Sequence, residues 1–162
     1  MSNQPLTVWN GEVIEDWIDY NQHMSEGFYG LVFGFASDEY LLRMGFDEQY
    51  RAETKGAFYT VETHISFLDE LALGTPLEVR TTVIGADPIR VHLFHQLVRT
   101  TDEVVAATQE SLMLHVDTSI DRVAPMTDAV LSVSAADAAA HEGLVDPDDI
   151  GKVIRGPGSR AD

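Results

Sequence analysis

The chain has 162 residues, of which 44% are hydrophobic, and this favours one folded domain around a single core. Twenty-seven acidic against ten basic residues give a net charge of −17, which disfavours nucleic acid and anionic membranes, because both are bound through Lys and Arg. The same charge favours a cationic ligand, or else reflects adaptation to solubility or salt. The absence of cysteine excludes disulfides, zinc–thiolate sites and a thiol nucleophile. With no membrane-length apolar run and no signal core, the sequence predicts a soluble cytoplasmic protein.

A strand pattern and a long helical pattern fill the first part of the chain. Residues 6–18 are β-branched and aromatic and predict a first strand, with a turn signal at Asn10–Gly11. Residues 25–46 have helical spacing, with Ser25 as the N-cap and Gly45 as a stop signal. This helix carries a stripe of three glycines, Gly27, Gly30 and Gly34. Each glycine costs about 0.5–1 kcal/mol relative to alanine, so we expect close packing of the helix backbone against a sheet as compensation.

Four further strand patterns follow a polar connection over residues 47–56. They cover residues 57–70, 76–85, 89–100 and 103–117. Short turns join them, and a parallel crossover needs a dozen residues or more, so neighbouring strands should be antiparallel. Strict alternation along the first of them predicts one shared face for four apolar residues, Tyr59, Val61, Ile65 and Phe67. Glu62 and His64 fall on the other face.

The C-terminal part contains one Ala-rich helical pattern near Ser132–His141, with a stop signal at Gly143. The last residues, IRGPGSRAD, have no core-forming pattern and are predicted to be mobile. We expect a single domain, with its main body over residues 1–126 and a C-terminal helix and mobile tail over residues 127–162.

This order of elements predicts the α+β class. A helix of about 20 residues is roughly 30 Å long and can cover one face of a long antiparallel sheet. We therefore expect a curved antiparallel sheet wrapped around one long central helix. Such a sheet leaves an edge strand that pairs with another subunit, so a homodimer or homotetramer is expected.

The stretch WIDYNQHMSE, residues 17–26, places an acid, an amide and a histidine at alternate positions just before the long helix. These residues are Asp19, Asn21 and His23. A solvated turn closed by an Asx hydrogen bond explains them as well as a catalytic site does.

The run DYNQHM, which starts at Asp19 and leads into a helix, resembles the D-x-N-x-H-x signature of hotdog thioesterases of the 4-hydroxybenzoyl-CoA type. Three later stretches are similar to betainyl-CoA thioesterases, including the domain fused to some L-carnitine dehydrogenases: YTVETHISFL, VHLFHQLVR and ATQESLMLHVD. The resemblance covers roughly residues 10–126. Where that branch commonly has glycine and asparagine after the acid, this chain has Gln22 and Ser25.

This resemblance implies a hotdog fold and hydrolysis of a short acyl-CoA thioester, with betainyl-CoA as the expected substrate, glycine betaine and CoA as products, and no cofactor. Asp19 corresponds to the catalytic acid, as a nucleophile or as a general base on water. Free backbone N–H groups around Ser25–Gly27 would stabilise the oxyanion. Asn21 would orient the water or cap the loop. His23 would bond the substrate carbonyl or support the loop.

A trimethylammonium group has no hydrogen-bond donor, so a protein binds it through charge and aromatic faces. The aromatic candidates beside the acid are Trp17 and Tyr20. Glu62 is the candidate carboxylate, with Phe58 expected on its face of the strand and Tyr59 on the other. We therefore predict that the acyl group is bound by Trp17, Tyr20 and Glu62. The strand that carries Glu62 would contribute from a partner subunit.

His64 shares the predicted face of Glu62, and this pair is either part of a site or a solvated surface. His92 and His95 are three apart on a strand and face opposite sides, so no metal site is predicted. The phosphates of CoA need local positive charge in so acidic a protein, and Arg90, at a strand start, is the candidate. The other nearby bases are Arg51, Lys55, Arg80 and Arg99.

Three alternatives stay open on the sequence alone. The first is a hotdog thioesterase with a different acyl specificity. The second is an enoyl-CoA hydratase, whose acid-and-histidine motif is not found in this chain. The third is a non-catalytic module that binds acyl-CoA or betaine.

Overall fold

The computed structural model describes residues 3–154. Within this range the main elements follow in the order β1 (Leu6–Glu12), α1 (Glu26–Arg43), α2 (Glu48–Thr54), β2 (Gly56–Phe67), β3 (Pro76–Asp87), β4 (Arg90–Arg99), β5 (Val104–Asp117), β6 (Arg122–Val123) and α3 (Asp128–Ala140). Two short 3-10 segments lie at Glu15–Trp17 and Pro147–Asp149. None of these helices is long and apolar enough to cross a membrane.

One antiparallel sheet contains all the strands. Its order is β1-β3-β4-β5-β2, and the short β6 pairs with β5. Each of the four long pairings contains a register shift, and such irregularities bend strands and increase their twist. In this strand order, β1 and β2 form the two edges of the sheet.

The helix α1 packs across one face of this sheet. It does so through apolar side chains that recur at helical spacing. Its buried side chains form the centre of two connected groups of core residues. They include Tyr29, Val32, Phe33, Ala36, Tyr40 and Leu41. The predicted architecture, a curved antiparallel sheet around one long helix, is confirmed. The helix begins after Ser25 as predicted, although the Ser25 side chain makes no capping hydrogen bond.

The first strand is shorter than predicted, and Asn10–Gly11 is not a turn. Both residues pair with β3, opposite Glu78 and Leu77. The side chain of Trp9 explains the glycine, because a Cβ built at Gly11 would lie 2.7 Å from the indole ring. The residues after Glu12 leave the sheet and form the 3-10 turn Glu15–Trp17.

Two helical segments depart from the sequence pattern. The connection over residues 47–56 contains α2, which begins where Asp47 Oδ1 accepts the backbone N–H of Tyr50 at 2.8 Å and ends at Lys55 in a left-handed conformation. Tyr50 is the only buried residue of this short helix, and one buried residue is too few to produce a periodic pattern in the sequence. The helix α3 begins at Asp128 rather than near Ser132, because Val130 in its first turn is also a core residue.

The helix α3 covers part of the edge of β3. The pairing of β1 with β3 ends at Thr81, and beyond it the backbone N–H of Val83 donates to Nδ1 of His141 at 2.9 Å. Burial lowers the pKa of His141, in keeping with an unprotonated Nδ1. Arg43 of α1 pairs with Asp137 of α3 at 2.7 Å. The division at residue 126 stays a prediction, and the predicted mobile tail lies outside the described residues beyond Ile154.

The glycine stripe of α1 does not pack against the sheet, so that prediction is wrong. A Cβ built at Gly27 or Gly34 would meet nothing within 4 Å, and at Gly30 it would make an ordinary contact of 3.7 Å with Ile65. Gly27 and Gly34 face open space, whereas Gly30 faces β2 without the close approach that would require a glycine. Gly56, like Gly11, is sterically required, because a Cβ there would lie 2.6 Å from Nε2 of His115.

A bulge in β2 reverses the predicted alternation. Val61, just before Glu62, has no partner in β5. As a result Phe58 packs into the core, whereas Glu62 faces the opposite side of the sheet. The prediction that Phe58 and Glu62 share a face is therefore wrong. Tyr59, predicted to lie with Ile65, is on the outer face with Glu62.

Candidate active site

The loop before α1 is a small antiparallel ladder rather than an open turn. Ile18 and Met24 form a β-bridge, and the backbone N–H of Asp19 donates to the carbonyl of His23 at 3.0 Å. The N–H of Met24 donates to the carbonyl of Leu71 at 2.8 Å, which ties the loop to the segment after β2. These bonds place Asp19 directly opposite His23.

The Asx hydrogen bond considered from the sequence is present. Oδ1 of Asp19 accepts the backbone N–H of Asn21 at 2.7 Å, and the described residues bring no other donor to this carboxylate. Gln22 has φ of 66°, a left-handed conformation that favours glycine, and its N–H donates to the carbonyl of Asp19 at 3.0 Å. Gln22 thus holds a backbone shape that glycine adopts with less strain. The second carboxylate oxygen is left to bind a ligand or a water.

The start of α1 offers two backbone donors rather than the predicted three. The N–H of Ser25 donates to the carbonyl of Trp17 at 2.9 Å and is not available. The N–H groups of Glu26 and Gly27 have no backbone acceptor among the described residues. No atom lies near the face of Gly27, so a ligand can approach its backbone closely.

A groove of about 460 Å³ opens beside this loop. Its lining residues come from the loop, the first turns of α1 and the end of β2: His23, Met24, Glu26, Tyr29, Phe67, Leu68, Asp69 and Glu70. Nε2 of His23 lies 3.2 Å from Oε2 of Glu70 across it. We call this space the N-terminal groove. It brings together His23 and the helix start; Asp19 belongs to the same loop, opposite His23, but is not among the lining residues.

The groove is aromatic and negatively charged. The rings of Tyr29 and Phe67 meet edge to face with centroids 5.2 Å apart. Burial raises the pKa of Tyr29, and the nearby charges of Asp69 and Glu70 raise it further. The same carboxylates that disfavour a tyrosinate favour a cation in this space.

The two aromatic candidates from the loop lie elsewhere. Trp17 is 8% exposed, and its ring stacks on Phe28 with centroids 5.9 Å apart. Tyr20 is 90% exposed. Neither residue lines the N-terminal groove.

Glu62 and His64 line a different pocket, on the outer face of the sheet. This pocket measures about 340 Å³, and in it Nε2 of His92 lies 2.8 Å from Oε1 of Glu110. The second oxygen of Glu110 accepts the backbone N–H of Gly151 at 2.7 Å. Glu62 precedes the groove residue Phe67 by five residues, or roughly 17 Å along the strand. The structure therefore separates Glu62 and His64 from Asp19 within one chain.

Three of the basic residues proposed for CoA are engaged by carboxylates, whereas Arg51 and Lys55 donate to backbone carbonyls. Arg90 donates to Oδ2 of Asp87 from Nε and Nη2, at 2.8 and 2.6 Å, and this bonding lowers the pKa of Asp87. Arg80 pairs with Glu78 and Glu103, and Arg99 with Asp69 and Asp102. A phosphate at Arg90 would compete with Asp87.

His92 and His95 face opposite sides as predicted, and residues 3–154 contain no His, Asp and Glu group that could hold a metal ion.

Sequence reasoning missed most of the groove residues. Tyr29 lies within the predicted helix but is not singled out by its pattern, and Phe67 is assigned only to the apolar face of its strand. Asp69 and Glu70 look like an ordinary polar strand end. Only Glu26, an acid in the first helical turn, carried a local signal, and that signal was one of helix stability rather than of a site.

Comparisons with known proteins identify the family of this chain. The model of the thioesterase-like superfamily matches residues 13–133. The betainyl-CoA thioesterase of Pseudomonas aeruginosa is 37% identical over 94% of this chain and 96% of its own. The L-carnitine dehydrogenase/betainyl-CoA thioesterase of Agrobacterium fabrum is 40% identical over 95% of this chain, which spans 31% of that longer protein.

Among solved structures, a Staphylococcus aureus protein in complex with CoA superposes with a TM-score of 0.89 at 25% identity, covering 97% of this chain and 98% of its own. A 1,4-dihydroxy-2-naphthoyl-CoA thioesterase from Synechocystis shares the fold, with a TM-score of 0.71 at 14% identity over 82% of this chain and 97% of its own. The predicted hotdog fold and thioesterase class are confirmed. The chain belongs to the thioesterase-like superfamily.

Proposed function

We propose that this protein hydrolyses betainyl-CoA to glycine betaine and CoA, a step of carnitine breakdown. The observation that carries this proposal is the match to the Pseudomonas aeruginosa betainyl-CoA thioesterase along nearly the whole of both chains. The acidic, aromatic groove beside Asp19 supports a cationic acyl group. A CoA ester substrate also supports the predicted cytoplasmic location.

Asp19 is the proposed catalytic carboxylate. Its Oδ1 is held by the N–H of Asn21, so Oδ2 can act on the thioester carbon directly or through a water. The C–S bond then breaks, the thiolate of CoA takes up a proton, and water supplies the oxygen of the betaine carboxylate. The N–H groups of Glu26 and Gly27 are the proposed donors to the oxyanion, where losing one donor typically costs roughly 3–4 kcal/mol.

Asn21 and His23 have supporting roles in this proposal. Asn21 holds Asp19 through its backbone, and its exposed side chain can orient a water. His23 is half-exposed in the groove, where a doubly protonated ring can donate from Nδ1 to the substrate carbonyl while Nε2 bonds Glu70. Both roles need the loop geometry that the bridge between Ile18 and Met24 maintains.

A second copy of this chain is the proposed partner, as a homodimer or within a homotetramer. The strand β2 is a 12-residue edge of the sheet, and its exposed apolar side chains include Tyr59, Val61 and Phe67. A long edge of this kind pairs readily with another strand. Glu62, His64 and Arg90 could reach acyl-CoA only at a site that such a partner completes, because Glu62 lies roughly 17 Å along β2 from Phe67.

A panel of acyl-CoAs with a thiol reagent tests the function. We expect release of free thiol, fastest with betainyl-CoA. Loss of the enoyl absorbance of an unsaturated ester without thiol release would identify a hydratase instead. Binding of betainyl-CoA with neither change would identify a non-catalytic module.

A further inference from the structure

The N-terminal groove has a wall that suits a methylated cation. The ring of Phe67 is half-exposed and packs edge to face on Tyr29, which lines the groove although only 4% exposed, and Met24 and Leu68 add apolar surface. The outer shell of a trimethylammonium group is three methyl groups that carry a delocalised positive charge. Aromatic rings bind such a group by cation–π attraction, and they do not need a hydrogen bond from it.

Carboxylates occupy the rim of this wall. Asp69 is engaged by Arg99, whose Nη2 lies 2.8 Å away. Glu70 faces His23, and Glu26 has no ion-pair partner among residues 3–154. Glu26 and Glu70 are therefore the groove carboxylates that no arginine or lysine neutralises.

The distance between the two ends of the acyl group favours this groove over the pocket at Glu62. In a betainyl thioester one methylene joins the ammonium nitrogen to the reacting carbon, a separation of about 2.5 Å by ordinary bond lengths and angles. The cation subsite must therefore adjoin the reacting carbon. His23 lines the groove and stands opposite Asp19, whereas Glu62 lies on the outer face of the sheet.

We propose that the rings of Tyr29 and Phe67 and the carboxylates of Glu26 and Glu70 form the subsite for the trimethylammonium group, and that this subsite makes the enzyme selective for a cationic acyl chain. The inference rests on the proposed function. It replaces the cation contact predicted from the sequence, which used Glu62 with Trp17 or Tyr20.

The test compares betainyl-CoA with 3,3-dimethylbutyryl-CoA, which has the same shape without the charge. The measured quantity is the ratio of kcat/KM for the cationic ester to kcat/KM for the neutral one. We expect E26Q and E70Q each to lower this ratio by about tenfold, since one lost charge contact of roughly 1.4 kcal/mol gives that factor. F67L should lower it by about threefold, the smaller effect expected when one ring is lost.

Glu39 provides the matched control. It lies on the same helix as Glu26, about 20 Å away along the axis, and E39Q removes the same charge. We expect E39Q to leave the ratio within twofold of wild type, which separates a local contact from the overall field. Thermal unfolding of each variant checks that it is folded.

The outcomes are distinct. If both esters are hydrolysed and the ratio is unchanged in E26Q, E70Q and F67L, the subsite is overturned. The proposed thioesterase activity is then retained. A ratio that falls in E62Q but not in E26Q also overturns it, in favour of the outer face. A wild-type ratio near one overturns the selectivity and the betaine assignment together, and hydrolysis of neither ester overturns the proposed function itself.

Discussion

The backbone N–H of Asn21 lies 2.7 Å from Oδ1 of Asp19 and holds that carboxylate at the entrance to α1. A bond of this type occurs in many solvated turns, so it does not by itself indicate catalysis. In this loop, however, it accompanies a ladder that places Asp19 opposite His23, beside two unbonded helix N–H groups. The Asx turn and the candidate catalytic geometry are one arrangement, and the turn fixes the position of the acid.

The first prediction concerns this acid. D19N should lower turnover by at least about 10²–10⁴-fold, because an amide is neither a nucleophile nor a base at neutral pH. The fold should be unchanged, since the amide oxygen of asparagine can still accept the N–H of Asn21. Thiol release measures turnover, and thermal unfolding measures the stability of the fold. N21A is the control, because it keeps the backbone N–H that donates to Asp19. Near-wild-type turnover in D19N would remove Asp19 from the mechanism and leave Glu62 as the next acid to test.

The second prediction uses two glycines with opposite surroundings. G56A should destabilise the protein by about 1–3 kcal/mol, because its Cβ would lie 2.6 Å from Nε2 of His115 and 2.9 Å from Tyr50. His115 cannot move aside easily, since its Nδ1 bonds the carbonyl of Ala124 at 2.8 Å. G34A, in an open part of α1, should instead stabilise it by about 0.5–1 kcal/mol. Urea unfolding compares the two variants, and a loss of stability in G34A would show that another chain packs on this face of α1.

The third prediction concerns the proposed partner strand. V61D places a charge at an exposed edge position of β2, where a two-fold axis would bring two such charges together in an already acidic protein. We expect the assembly to dissociate to monomers, as measured by light scattering after size-exclusion chromatography. L73D, in an exposed loop between β2 and β3, is the control and should keep the wild-type mass. A V61D protein that stays oligomeric would rule out β2 as the paired edge.

The large elements could be predicted from the sequence because their signals are repeated along the chain. The helix over residues 25–46 and the long strands each contain several turns or alternations, and they lie within a few residues of their predicted positions. The bulge at Val61 could not be predicted, since one unpaired residue leaves no compositional trace. That bulge alone moved Phe58 into the core and Tyr59 to the outer face. A single inserted residue therefore overturned the predicted grouping of Phe58 with Glu62.

The predicted site was limited in the same way. Asp19 and His23 are only four residues apart in the sequence, so together they are visible as a motif. Phe67 and Glu70 meet His23 only because the N–H of Met24 bonds the carbonyl of Leu71, a contact between segments far apart in sequence. Sequence periodicity assigns such residues to core or surface and does not say which of them face each other.

His95 shows how a buried histidine serves the core of this fold. Its Nδ1 lies 2.8 Å from Oγ1 of Thr81, and its Nε2 lies 3.1 Å from Oγ of Ser37. The Ser37 hydroxyl donates to the carbonyl of Phe33 at 3.0 Å, so it accepts from His95. Nε2 of His95 therefore carries the proton, and the Thr81 hydroxyl donates to Nδ1. In this neutral form both ring nitrogens are satisfied.

The last prediction follows from that neutral form. Burial lowers the pKa of His95 in the folded protein from 6.5 to about 3. Between these values the unfolded chain binds a proton at this residue that the folded chain does not, so the free energy of unfolding falls as the pH falls. The contribution of neutral His95 is complete above pH 6.5, and inside the window it decreases by about 1.4 kcal/mol per pH unit.

H95Q can donate to Ser37 and accept from Thr81 without titrating, so its unfolding free energy should depend less steeply on pH between 6.5 and 4. Urea unfolding of both proteins at pH 7.5, 6, 5 and 4 measures the difference, in which His141 and the carboxylates cancel. Parallel curves for the two proteins would mean that His95 is protonated in the folded state, and that the hydrogen bonds to Thr81 and Ser37 do not hold it neutral.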